Sequence, residues 1–111
     1  MANSECVEQI NQGVAAWNRW RALRPGERPD LGGANLRDAD LAGVNLRCAH
    51  LPATILAGAN LHGADLREAN MCGTNLARAN LECADLSGAT MSGANLGRAR
   101  LVAANLSDTD L

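Results

Sequence analysis

Ala59-Asn60-Leu61-His62-Gly63-Ala64-Asp65-Leu66-Arg67-Glu68-Ala69-Asn70-Met71 repeats every five residues: a small residue, a short polar residue, leucine or methionine, then two variable positions. The same register runs outward without an insertion, back to Asp30-Leu31 and forward to Leu111. A strict short period leaves the backbone few ways to bury all its leucines together. An α-helix advances about 500° over five residues and would scatter the leucines around its whole circumference. A continuous strand would place successive leucines on opposite faces, because its side chains alternate and five is odd. Both failures disappear if each pentad is a short extended piece followed by a corner. Heptad and leucine-rich periods do not fit.

The residue types assign the positions. The leucine position, i, is Leu throughout except for Met71 and Met91, which are close in volume. Position i−2 is mostly alanine and shares the inner side with i, with Pro29, Val44, Thr54, Thr74 and Thr109 as departures. Position i−1 is mostly Asn or Asp, whose side chains hydrogen-bond back to their own turn. Glycine recurs at i+2, where a corner benefits from permissive dihedrals.

Tandem A(D/N)LXX pentads of this kind resemble the pentapeptide repeat family, over about the last three quarters of the chain. The resemblance implies an all-β solenoid: a right-handed quadrilateral β-helix of about four coils, with i and i−2 inward. At a strand spacing of ~4.8 Å the rod would be roughly 20 Å long.

Residues 1–29 read as a separate piece, a capping helix and lead-in segment, ahead of the β-helix at 30–111. Ser4 is the expected helix cap, with Glu5 and Glu8 early and Arg19, Arg21 and Arg24 late, matching the macrodipole. Val7, Ile10, Val14 and Trp17 recur at helical spacing, and Pro25-Gly26 ends the run. Covering the first coil is the expected role, since an open stack exposes strand edges. The other reading is an arginine-flanked tryptophan helix lying on a membrane surface.

The 10 basic residues, all arginine, and 12 acidic residues give a net charge of −2, which offers no counterion-release term for nucleic acid. The start of the chain has no basic, apolar leader pattern and no run reaches a membrane span, so a cytoplasmic location without membrane association is expected. Cys6, Cys48, Cys72 and Cys83 match no zinc or redox spacing and are expected as free thiols. No catalytic, cofactor or metal constellation is visible, and a filled aliphatic interior leaves no substrate cavity, so an enzyme is not expected.

Departures from the consensus carry the remaining information. At i−1, His50, Ile55, Thr90 and Arg100 replace Asn or Asp. Ile55 should project outward beside Pro52 and Thr54. Arg78 and Arg98 should stack on one edge and Arg47 and Arg67 on another, where they could receive an acidic partner; the other reading, favoured by scattered carboxylates such as Asp38, Glu68 and Asp108, is a mixed, solvated surface. Pro52, Ile55, Arg78 and Arg98 therefore form the candidate partner-binding surface. The coil that carries Leu106 and Leu111 has no cap after it in this sequence. Either that end is tolerated, or two chains meet there tail to tail as a homodimer, or the natural chain is longer; the dimer is favoured because it covers an edge and is self-complementary.

The expected function is a non-enzymatic scaffold or protein–protein interaction module. The resemblance implies an alternative, since some family members mimic duplex DNA and bind DNA gyrase, conferring fluoroquinolone resistance. Those rods are strongly acidic and often carry phenylalanine at i, whereas this chain has none.

Overall fold

A computed structural model describes residues 2–111. The pentads stack four to a turn: Asp30 pairs in parallel with His50, Asn35 with Ile55, Asp40 with Asn60 and Asn45 with Asp65, and the same offset continues to Thr90 and Asp110. Each pentad contributes a single bridged residue rather than a strand of several, because the corner consumes the rest of the repeat. Backbone bonds run both ways along the stack. Leu31 N–H donates to His50 O at 2.8 Å, and His50 N–H donates back to Pro29 O at 2.8 Å.

The corner is a four-residue turn. Ala34 N–H closes onto Leu31 O at 3.0 Å, and Gly33 between them has φ +75°. A positive φ at the third turn residue is the signature of a type II turn, which favours glycine there and proline one place earlier. Gly33 and Pro52 occupy those positions in consecutive coils. Twelve of the Asn and Asp residues at i−1 brace the turn by accepting the N–H of residue i+1, as Asn35 Oδ1 does from Arg37 at 3.2 Å. At His50 no such acceptor is needed, because the residue at i+1 is Pro52, which has no N–H.

Inside, Leu31 through Met91 form one buried stack, with the alanines at i−2 filling the gaps between them. The threonines that interrupt the alanine column are satisfied: Thr54 Oγ1 donates to Leu31 O at 2.8 Å, Thr74 Oγ1 to Leu51 O at 2.6 Å and Thr109 Oγ1 to Leu86 O at 3.0 Å. A hydroxyl in that column thus adds a cross-coil bond where alanine adds none. Burial falls toward the last coil, where Leu96, Leu101 and Leu106 are half-buried and Leu111 is 70% exposed.

The cap differs from expectation in two respects. It is two helices, α1 (Ser4–Asn11) and α2 (Val14–Ala22), rather than one. Gly13, at φ +106°, turns the chain between them in a conformation that a side chain would resist. The cap residue of α1 is Asn3, not Ser4; its Oδ1 accepts from Glu5 N at 2.9 Å and Cys6 N at 3.2 Å. A side-chain oxygen one residue earlier reaches both free amides, and Ser4 enters the first turn.

The apolar face read from the sequence is retained, with Ile10 and Trp17 buried and Val7 and Val14 packed against the same cluster as the rod's leucines. Trp17 is fully buried, so α2 presents this side to the rod. Among the described residues no helix is long and apolar enough to cross a membrane.

Candidate functional site: an arginine-bordered face

Side chains of α2 stand in for a missing coil. Within the rod, Asp65 N–H donates to Val44 O and Leu46 N–H donates to Asp65 O, at 2.9 and 2.8 Å. The equivalent groups of Asn45 have no coil before them. Trp17 Nε1 donates to Asn45 O at 2.7 Å, while Asn18 Oδ1 accepts from Asn45 N at 2.8 Å and Asn18 Nδ2 donates to Gly43 O at 3.1 Å. Arg21 adds Nη bonds to Asn45 O at 3.2 Å and Arg47 O at 2.9 Å. Arg21, in the last turn of α2 as expected, is therefore 7% exposed and serves the rod. Burial pulls its pKa down, with the Asp65 carboxylate opposing.

Pro52, Ile55, Arg78 and Arg98 border one side of the stack. That side is the column Asn35, Ile55, Asn75 and Asn95, which the parallel bridges align. Pro52 lies at the corner before it, close over the preceding coil: a Cβ on Gly32 would sit 3.3 Å from the proline Cγ. Ile55 is half-buried between Asn35 and Asn75 rather than fully projecting, because the stack is only one strand spacing apart and the neighbours cover its flanks. Arg78 and Arg98 are exposed at the opposite corner, at φ +60° and +59°, with Arg78 N–H bonded to Gly97 O at 2.8 Å. Arg37 joins Arg78 around a shallow cavity of about 180 Å³ with Asp38, Ala57 and Gly58.

The exposed arginines fall into unpaired and paired groups. Among the described residues, Arg37, Arg78 and Arg98 form no ion pair, whereas Arg67 binds Asp65 through Nε at 2.9 Å and Nη at 2.8 Å, and Arg100 binds Glu82 at 3.0 Å. The expected Arg47 and Arg67 stack is altered accordingly, since Arg67 is drawn back onto Asp65 within its own pentad. The Arg67 guanidinium holds the Asp65 carboxyl below the usual range, with partial burial opposing. Asp65 and Asp85 also brace their own turns, accepting from Arg67 N at 3.2 Å and Ser87 N at 3.0 Å.

The four cysteines are free, and burial pushes the Cys6 thiol up. No group of three metal-ligating side chains occurs among the described residues. Sequence reasoning missed the docking of Asn18 and Arg21, because carbonyls twenty-odd residues away leave no local signal. It also missed a cavity between cap and rod lined by Arg21, Arg28, Arg47 and Cys48.

A coil of four pentads with leucines inward defines a repeat scaffold, and the comparisons place it. Pentapeptide repeats, in eight copies, match residues 28–58, 54–93 and 80–111. The chain belongs to the pentapeptide repeat family.

Among solved structures it is similar to HetL, a pentapeptide repeat protein involved in heterocyst differentiation regulation from the cyanobacterium Nostoc sp. strain PCC 7120, at 36% identity and a TM-score of 0.76. The match covers 78% of this chain and 40% of HetL, so the chain spans less than half of that relative's length. A second pentapeptide repeat protein from Nostoc PCC 7120 matches at 36% identity and TM-score 0.72, over 82% of this chain and 73% of the other. One from the cyanobacterium Cyanothece 51142 matches at 36% and 0.54, over 75% and 60%. No curated protein matches.

Proposed function

We propose that this chain is a non-enzymatic scaffold, a right-handed quadrilateral β-helix of about four coils, that binds an acidic protein partner along the side carrying Ile55. One observation carries the reading: among the described residues Arg37, Arg78 and Arg98 stand unpaired on the side of a half-buried isoleucine, with Asp38 as the one carboxylate at that corner. Unpaired guanidinium groups fit carboxylates in a bidentate fork, and an apolar centre inside a charged rim is the usual anatomy of a protein interface. The reported regulatory involvement of HetL is in keeping with a binding role.

The test is affinity capture from native lysate with wild type and an R78E/R98E variant of unchanged melting temperature. Acidic proteins retained by wild type and lost by the variant support the proposal. Identical capture overturns it.

A cytoplasmic setting and contact between two copies through Leu106 and Leu111 belong to the same proposal. Sedimentation across a wide concentration range tests the contact, and a strict monomer at high concentration rejects it. Gyrase binding by charge mimicry of DNA gains little from this surface, since Arg67 neutralises Asp65 and the net charge is only −2. A supercoiling assay should show no inhibition at a large molar excess.

A further inference from the structure

A further unexplained feature is a cavity of about 470 Å³ at the seam between cap and rod. Arg21 comes from α2, Arg28 and Glu27 from the lead-in segment, Arg47 and Cys48 from the first coil and Glu68 from the second. Opposite charges line the same space without pairing. Arg28 Nε donates to Cys48 O at 3.1 Å, but neither Arg28 nor Arg47 makes an ion pair among the described residues, and Glu27 reaches only Arg24, at 3.8 Å. Arg21 Nε, on a side chain more than nine-tenths buried, has no acceptor. Cations and carboxylates held apart across a cavity suit a ligand that carries both charges, and this cavity also holds a half-buried free thiol.

We propose that Cys48 is a site of mixed-disulfide formation with a low-molecular-weight aminothiol disulfide, such as glutathione disulfide, whose carboxylates Arg28 and Arg47 receive and whose ammonium Glu68 receives. The Cys48 thiolate attacks one sulfur of the reagent, whose S–S bond breaks as the new S–S bond forms. The other half leaves as a thiolate and takes a proton from water. Cys48 is thereby oxidised and the departing thiol is the reduced product, so no further oxidant is required. Charged walls concentrate such a reagent beside the sulfur.

Exposure alone gives a different order. Cys83 is exposed while Cys48 is half-buried, so a surface-controlled reaction modifies Cys83 first. The experiment incubates the full chain with limiting glutathione disulfide at low salt and maps adducts by peptide mass. The expected result is Cys48 modified about tenfold faster than Cys83 and Cys72, with the preference shrinking at high salt. An R28Q/R47Q variant with an unchanged circular dichroism melt should lose the preference, as should wild type treated with uncharged hydroxyethyl disulfide. Cys83 reacting first overturns the proposal. So does a Cys48 preference that survives the uncharged reagent or the double substitution.

Discussion

Replacing Arg21 with alanine tests whether the cap is a surrogate coil or merely a lid. The guanidinium donates to Asn45 O and Arg47 O at 3.2 and 2.9 Å. Asn45 O keeps Trp17 Nε1 as a partner, whereas among the described residues no other donor to Arg47 O is present. Bonds from a charged donor contribute about 1.5–3 kcal/mol each, and a buried orphan carbonyl costs about 1–3 kcal/mol. Against this, removing Arg21 also removes the desolvation of a buried charge, which burial already penalises. The net expectation is a loss of about 2–4 kcal/mol, or roughly 8–16 °C in melting temperature for a domain of this size.

Arg21→Met keeps the buried volume and should lose less, about 1–2 kcal/mol. Arg21→Lys should fall between them, since one ammonium on a flexible stem cannot reproduce the fork. Urea unfolding followed by circular dichroism measures all three. If Arg21→Ala unfolds within about 0.5 kcal/mol of wild type, the bonds from α2 do not anchor the first coil and the surrogate-coil reasoning fails.

Other outcomes follow from the same packing and hydrogen bonding. Leu66 is fully buried at mid-stack, so Leu66→Ala should cost about 2–5 kcal/mol and Leu66→Arg should abolish cooperative melting; the half-buried Leu106→Ala should cost less than half as much as Leu66→Ala, and equal losses would contradict the burial gradient. Thr74→Val removes the buried hydroxyl bond to Leu51 O, which keeps the Thr54 N–H of its own turn at 3.2 Å; denaturant curves should show a loss of about 1 kcal/mol. Asp65 has a depressed folded-state pKa, so its stabilisation is present above the ordinary carboxylate value of about 4 and is lost as pH falls through the lower folded value. Wild type should therefore exceed Asp65→Asn in stability at neutral pH, and the two curves should converge in strong acid; a constant gap across the titration would assign the effect to packing instead.

The rod was legible because its period is local information repeated many times. Each leucine, alanine and Asx residue does one job, and the exceptions were explained once turns were visible. Pro52 reads in sequence as an interruption, yet it occupies the turn position that proline suits and removes the N–H that an Asn or Asp oxygen receives in other pentads. Ile55 reads as an outward apolar group, but its neighbours twenty residues away cover half of it. The cap was legible only as an apolar helical pattern. Asn3 and Ser4 are both good caps, and nothing in their order shows which oxygen meets the free amides.

Sequence alone determined the pentad, its inward leucines, the family and the exclusion of helix and continuous strand, because a five-residue period is incompatible with both. Tertiary structure decided how the first coil is closed and which arginines remain free. Arg21 is buried on Asn45 and Arg47, Arg67 is bound to Asp65, and Arg37, Arg78 and Arg98 stand unpaired. In the chain they are the same residue type in similar contexts. Only the folded geometry brings a carbonyl or a carboxylate to some of them and leaves the others facing solvent.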